Sequence, residues 1–208
     1  MKKSHAIVGA TAVLMALSSC TAASDTASAP NSSASPPPVV TPTAPLFVEL
    51  SKEQAATRYL DLVCSNNAAT RGLTEAFAAG EDELLNGGDP DPAAAKAAAA
   101  KRIGLTRQTL ELIDDDFYRW PDGIAEQLAF VRSSYLSELS TLDSMANAAS
   151  FRDAYYSTFP GPTPEQAAAG QEIRYRLGLD VDTVASCVGH EDGTSRLIAE
   201  RDGRTAVG

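Results

Sequence analysis

The sequence predicts an all-α fold, an up-down four-helix bundle with short accessory helices over residues 49–190. Apolar residues recur at intervals of three and four along four long segments, the spacing of one helix face. Breaks rich in glycine and proline separate these segments. No segment shows sustained alternation of apolar and polar residues, the pattern of a half-buried strand. Four helices joined by short breaks favour the up-down arrangement.

The first helix is predicted to begin after Ser51, which forms a capping box with Gln54. Its apolar spacing continues to Phe77, and the run Gly87-Gly88-Asp89-Pro90 then breaks the chain. A second helix is predicted from Ala93, where a run of alanines begins. Its apolar residues are Ile103, Leu105, Leu110, Leu112, Ile113 and Phe117.

The third helix is predicted to begin at Pro121, because proline suits the first helical turn. Trp120 precedes that proline and is therefore biased away from the helical region. The helix has the most regular apolar spacing in the chain, at Leu128, Val131, Tyr135, Leu139, Leu142 and Met145.

The segment after the third helix contains shorter elements. Ser150 is predicted to cap a linking helix through Tyr156, and Thr163 forms a second capping box with Gln166. The helix that follows is expected to run through Leu177 and to end at Gly178. Asp180 is expected to cap a last short helix that reaches Cys187, and residues 191–208 are predicted to form a flexible C-terminal tail.

The first 19 residues predict a secretory signal peptide. Lys2 and Lys3 precede an apolar stretch that is too short and too rich in small residues for a membrane span. The stretch ends in Leu17-Ser18-Ser19-Cys20, which is typical of a lipobox, in which Cys20 becomes the lipidated first residue of the mature chain. The competing interpretation, an ordinary signal with a chance cysteine, requires an Ala-x-Ala-like cleavage site, which Thr21-Ala22-Ala23 matches poorly. We therefore expect a lipid anchor on Cys20 at the extracytoplasmic face of the cell membrane.

Residues 20–48 predict a lipid-anchored, disordered tether. The segment consists mainly of Ser, Thr, Ala and Pro, and its prolines disfavour both helix and central strand. It is either a passive spacer or a spacer that also carries O-linked sugars on its Ser and Thr residues.

Charge narrows the choice of partners. The precursor has a formal charge of −10, and loss of Lys2 and Lys3 with the signal lowers it to −12. Phosphate binding requires clustered Lys and Arg, so no nucleic-acid partner is expected. Attraction to anionic lipid by charge is disfavoured for the same reason.

Lipidation of Cys20 leaves Cys64 and Cys187. An even number of cysteines in an oxidising compartment predicts one disulfide. Zinc binding through Cys187 and His190 is the alternative, but a zinc site needs four convergent ligands. We therefore expect a Cys64–Cys187 disulfide, no metal and no cofactor.

Several short motifs resemble a group of alanine-rich lipoproteins from high-GC Gram-positive bacteria. They are Tyr59-Leu60, Cys64 with Asn67 three residues later, Trp120-Pro121, and Leu177-Gly178-Leu179 before Cys187. The resemblance spans roughly residues 51–189. It implies a helical domain that carries the Cys64–Cys187 disulfide, and it implies no activity.

No phosphate-binding, dinucleotide-binding, serine-hydrolase or zinc-protease motif is present. Asp114-Asp115-Asp116 is either a calcium site with Asp122 or, as we expect, a solvated acidic turn. Trp120 either contacts a partner or packs a helix junction. Asn66 or Asn67 either contacts a ligand or, as is more usual, fixes helix register or caps backbone groups.

The sequence thus favours a non-catalytic module that interacts with an envelope protein or supports the envelope structure. The alternative is a solute-binding or hydrolytic lipoprotein, which requires a pocket of several hundred cubic ångströms with convergent polar groups.

Overall fold

The computed structural model describes residues 47–205, so the predicted signal peptide, Cys20 and all but the last residues of the predicted tether lie outside the described residues. Within them the fold is mostly helical, as predicted. The α-helices are α1 (Lys52–Leu85), α2 (Ala93–Ile113), α3 (Ile124–Ala146), α4 (Phe151–Tyr155), α5 (Pro164–Leu177) and α6 (Gly193–Thr205). A 3₁₀ turn covers Ala185–Cys187, and two short strands are β1 (Val48–Glu49) and β2 (Tyr118–Arg119). None of the helices within residues 47–205 has both the length and the apolar character that a membrane crossing requires.

Capping side chains set the start of α1 and α5. Gln54 N donates to Ser51 Oγ at 3.2 Å, and Ser51 N donates back to Gln54 Oε1 at 2.8 Å. Thr163 and Gln166 make the same reciprocal pair at α5. Each pair satisfies N–H groups that the first helical turn leaves without partners, which is why both starts were predictable from sequence.

Two helix boundaries lie at glycines whose backbone has the left-handed conformation. Gly178 has a φ of 72° and ends α5, as predicted. Gly123 has a φ of 76°, a backbone conformation that a right-handed helix cannot contain, and α3 consequently begins at Ile124 and not at the predicted Pro121.

The two strands were not predicted. Val48, assigned to the tether, pairs in parallel with Tyr118, and its N–H donates to Phe117 O at 2.8 Å. Leu50 N donates to Arg119 O at 2.9 Å. Helix α2 ends at Ile113 with Asp114 as its C-cap, whereas the sequence predicted helix to Phe117. Strands of two residues are too short to show alternation, so the pattern analysis missed them.

The helices enclose a core around the first half of α1. Helix α1 packs against α2, α5 and α6, while α3 packs against α2 and α5. The largest group of buried apolar residues combines side chains from α1 and α3 with Ile173 and Leu177 of α5 and with Leu197 of α6. Both Cys64 and Cys187 belong to this group.

The described part of the C-terminal segment, up to residue 205, corrects the prediction of a flexible tail over residues 191–208. Residues 193–205 form α6, which packs on α1 with Leu197 only 4 % exposed. Polar contacts hold it there: Thr194 N donates to Ser65 Oγ at 3.3 Å, and Arg58 pairs with Glu200 at 3.1 Å. The sequence did not indicate a packed helix here, because α6 has little apolar periodicity and depends on polar partners from α1.

Candidate functional site

The structure joins Cys64 of α1 to Cys187 of the 3₁₀ turn, with Cα atoms 5.4 Å apart. This is the pair that the sequence predicts, although Cys187 precedes α6 and does not lie in the final helix. Both cysteines are buried, at 0 % and 2 % exposure. The Asn67 amide lies beside the bond, with Nδ2 3.9 Å from Cys187 Sγ.

Asn66 holds two helices together. Its Nδ2 donates to Thr109 Oγ1 at 2.8 Å, and its Oδ1 accepts from Thr106 Oγ1 at 3.1 Å. Asn66 is 2 % exposed, and both ends of its amide bind these α2 hydroxyls. The geometry favours the register interpretation over the ligand interpretation for this residue.

Trp120 and the acidic turn Asp114-Asp115-Asp116 both contact other parts of the fold. Trp120 is half-buried against the main core, as expected for packing at a helix junction.

Asp114 binds Arg132 through two hydrogen bonds of 2.6 and 2.8 Å, which lower the pKa of Asp114. Asp115 pairs with Arg204 of α6. The predicted solvated turn is thus largely ion-paired, and residues 47–205 contain no group of three His, Cys, Asp or Glu side chains that could hold a metal.

His190 contributes to the docking of the C-terminal segment. Its Nδ1 lies 2.6 Å from Asp61 Oδ1, which also accepts from Arg196 Nη2 at 2.5 Å. Asp61 is 8 % exposed and belongs to α1. His190 therefore lies in an ion-pair network between α1 and the residues before and within α6.

A buried arginine fixes the shape of the chain between α5 and Cys187. Arg174 of α5 is 3 % exposed, and its guanidinium donates to Asp180 O at 2.9 Å, to Asp182 O at 3.2 Å and to Ser186 Oγ. The Asp182 carboxylate accepts from the N–H groups of Val184 and Ala185, and these bonds lower its pKa. Asp182, and not the predicted Asp180, thus supplies the carboxylate acceptor at the start of the 3₁₀ turn, whose N-cap position is Val184.

This braced segment presents apolar side chains to solvent. Tyr175 is 82 % exposed, Val181 77 %, Val184 58 % and Val188 74 %. We call these four residues the 175–188 surface. They make up four of the nine large hydrophobic residues that are exposed within residues 47–205. Isolated exposed apolar residues are ordinary, but four of them occur within 14 residues of sequence, and two of the four, Tyr175 and Val181, line one surface groove, which marks a candidate interaction site.

The chain around the 175–188 surface is acidic. Residues 172–192 contain five Asp and Glu residues and two arginines. One arginine, Arg174, is buried by its backbone acceptors. Within this stretch Arg176 is therefore the solvent-facing arginine, and it pairs with Glu172 at 2.6 Å.

Among the surface grooves that border α1, two contain a buried arginine that has a nitrogen without a hydrogen-bond partner. The first, about 520 Å³, lies between α1, β2 and α6 and contains Arg58. The second, about 340 Å³, lies between α1, α2 and α4 and contains Arg102. Both arginines are buried, and each has one nitrogen without a hydrogen-bond partner, Nη2 of Arg58 and Nε of Arg102.

Neither arginine is among the site residues predicted from the sequence, although the sequence contains a signal for both. Arg58 stands between Ala55, Tyr59 and Leu62, at the spacing of one buried helix face. Arg102 stands in the same relation to Ala99, Ile103 and Thr106. A charged residue on an otherwise buried stripe requires a partner and therefore indicates a structural or binding role.

Comparison with known proteins found no matching family model, no matching curated protein and no matching solved structure.

Proposed function

We propose that the chain is a non-catalytic, lipid-anchored extracytoplasmic module that binds an envelope protein through the 175–188 surface. In this proposal residues 1–19 are the signal peptide, Cys20 carries the lipid, and α1, α2, α3 and α5 form an up-down four-helix bundle as scaffold. The observation that carries it is the exposure of four large apolar side chains on a segment braced by Arg174 and the Cys64–Cys187 disulfide.

Bracing matters because association is opposed by the ordering of flexible segments. Fixing a loop in its binding conformation beforehand reduces that loss of entropy. Arg174 binds the carbonyls of Asp180 and Asp182, and the disulfide holds the end of the segment at Cys187. Val181 and Val184 lie within this braced stretch and therefore have a defined arrangement, which favours a specific partner over nonspecific adhesion.

The negative charge around the 175–188 surface favours a protein partner over the lipid bilayer. The five carboxylates within residues 172–192 would repel anionic lipid headgroups and nucleic-acid phosphates. A protein surface with an apolar centre and a basic rim has the complementary charge. In this proposal the tether extends the reach of the module: the 27 residues between Cys20 and strand β1, at about 3.1 Å each, reach at most about 84 Å from the anchor.

We expect a photoactivatable phenylalanine analogue at Tyr175 to yield a discrete crosslink to an envelope protein in intact native cells. Val184→Asp should reduce the adduct about tenfold, because a new carboxylate at the contact is desolvated without a partner. The matched control is Leu85→Asp, since Leu85 is 66 % exposed at the far end of α1. Crosslinks of equal yield in both variants, or no crosslink, would contradict the proposed surface.

We also expect Cys20→Ala to abolish membrane retention, because the acyl chains are the proposed anchor. The measurement is cell fractionation followed by a high-salt wash. The Cys64→Ser/Cys187→Ser variant is the control and should remain with the membrane fraction. Retention of Cys20→Ala after the wash would disprove the lipid anchor.

A further inference from the structure

A third groove lies between α1, α3 and α5. We call it the Arg174 groove, because its walls combine Tyr59 of α1 and Tyr135 of α3 with Arg174 of α5. Its volume is about 250 Å³. Sites for drug-sized ligands have about 300–1,000 Å³, so this groove suits a smaller molecule.

Arg174 differs from the two other arginines that are buried within residues 47–205. Arg58 pairs with Glu200, and Arg102 pairs with Glu138. Arg174 is 3 % exposed, yet in this part of the chain its guanidinium donates to two carbonyl oxygens and a hydroxyl and to no carboxylate. A buried charge without a counter-charge is unfavourable, so Arg174 retains an attraction for an anion.

One nitrogen of the Arg174 guanidinium is free to meet such an anion. The guanidinium is planar, and its Nε and Nη2 share the edge that donates to the segment 180–186. Nη1 lies on the opposite edge and makes no hydrogen bond to any residue of 47–205. Within those residues, the unpartnered side-chain atoms that are closed off from solvent are Arg58 Nη2 and Arg102 Nε. Arg174 Nη1 is therefore both unpartnered and accessible, in a side chain that lines the groove.

Two tyrosine hydroxyls add donors to the same groove. Tyr135 Oη has no hydrogen-bond partner within the described chain and is not closed off from solvent, while Tyr59 Oη donates to Gly170 O over a long 3.4 Å. Burial raises the pKa of both tyrosines, that of Tyr59 to about 12 despite the charge of Arg174, and the nearby Tyr59 contributes to the rise for Tyr135. Both hydroxyls are therefore protonated at neutral pH and act as donors.

The remaining walls of the groove favour an anion over a cation or a zwitterion. No Asp or Glu lines it among the described residues. Its other polar side chains, such as Asn67 and Gln171, are uncharged, and Val63 and Val131 form an apolar face. An ammonium group in this groove would thus meet the like charge of Arg174 and no carboxylate.

We propose that the Arg174 groove binds a small organic monocarboxylate, with its carboxylate at Arg174 Nη1 and the Tyr135 hydroxyl and its apolar part against Val63 and Val131. A carboxylate accepts strong, charge-assisted hydrogen bonds from a guanidinium, and its single negative charge matches the one unpaired cation of the lining. This inference concerns a site separate from the 175–188 surface and does not depend on the protein-binding proposal.

The test titrates the purified full chain with benzoate, with benzamide and with inorganic phosphate by isothermal titration calorimetry. Benzamide has the shape of benzoate without its charge, so benzoate should bind at least about tenfold more tightly. Phosphate should bind more weakly than benzoate, because it has no apolar part to cover Val63 and Val131. Absence of benzoate binding, or binding of benzamide or phosphate as tight as that of benzoate, would overturn the proposal.

Tyr135→Phe tests the position of the carboxylate without altering the contacts of Arg174 with the segment 180–186. It removes a hydroxyl that has no partner in the described chain, so the fold should be retained while benzoate binding weakens by about tenfold. Tyr156→Phe is the matched control, since Tyr156 is 59 % exposed and does not line the groove. Ala167→Trp should also weaken binding by about tenfold or more, because the new side chain fills the groove. Thermal unfolding verifies the fold of each variant, and benzoate affinities in Tyr135→Phe and Ala167→Trp equal to that in Tyr156→Phe would disprove the site.

Discussion

Replacing both Cys64 and Cys187 by serine is expected to lower the melting temperature by about 10–15 °C. The disulfide connects positions 123 residues apart, and closing so long a loop restricts the unfolded chain. The chain-entropy relation gives a stabilisation of about 4–5 kcal/mol for a loop of this size. The helical circular-dichroism signal at low temperature should remain, because α2 also packs against both α1 and α3.

The comparison is made by thermal melts under non-reducing conditions. The Cys20→Ser variant is the control, and its melting temperature should equal that of the unaltered protein. Reduction of the unaltered protein should reproduce the melting temperature of the double variant. An unchanged melting temperature in the double variant would mean that the bond contributes nothing to stability.

The Gly193→Ala substitution is expected to lower the free energy of unfolding by about 2–3 kcal/mol and to loosen α6. A Cβ at Gly193 would lie 2.5 Å from the Asp61 carbonyl oxygen and 2.8 Å from its carbonyl carbon. Because these are backbone atoms of α1, neither helix can yield by a side-chain rotation. Movement of α6 would also strain the Arg58–Glu200 pair and the Thr194 contact with Ser65.

Chemical denaturation measures the change in stability, and hydrogen exchange over residues 193–205 measures the loosening of α6. The matched control is Gly203→Ala in the same helix, where a Cβ would have no atom within 4 Å. That variant should be as stable as the unaltered protein or slightly more so, since alanine favours helix over glycine. Equal effects of the two substitutions would disprove the close crossing of α1 and α6.

Local chemistry explains what the sequence predicted of the fold. Ser51 with Gln54, and Thr163 with Gln166, form capping boxes whose bonds span three residues, so they can be recognised without knowing the tertiary structure. Gly178 similarly ends α5 through its own left-handed conformation. These positions depend on neighbours in the chain, and the structure has them where the sequence places them.

Features that depend on noncovalent contacts with distant residues were not predictable. Strand β1 exists because Val48 meets Phe117, and α6 exists as a packed helix because α1 offers Ser65 and Arg58. The grooves escaped the sequence analysis for the same reason, since Arg102 gains its setting from Glu138 and Phe159 on other elements. Of the residues selected beforehand, Asn66 and Trp120 proved to lie in packing positions, while Asn67 lies beside the disulfide.

Because α6 docks on the first half of α1, the native contacts of that half are not complete until the C-terminal residues have been synthesised. Ribosomes add about 5–20 residues per second, so the 123 residues between Cys64 and Cys187 take about 6–25 s to synthesise. During that interval Cys64 is a thiol without its native partner, and Asp61 lacks His190 and Arg196. The part of α1 made first thus acquires its final neighbours last, and a nascent chain interrupted before residue 187 can form neither the covalent link nor the α1–α6 contact.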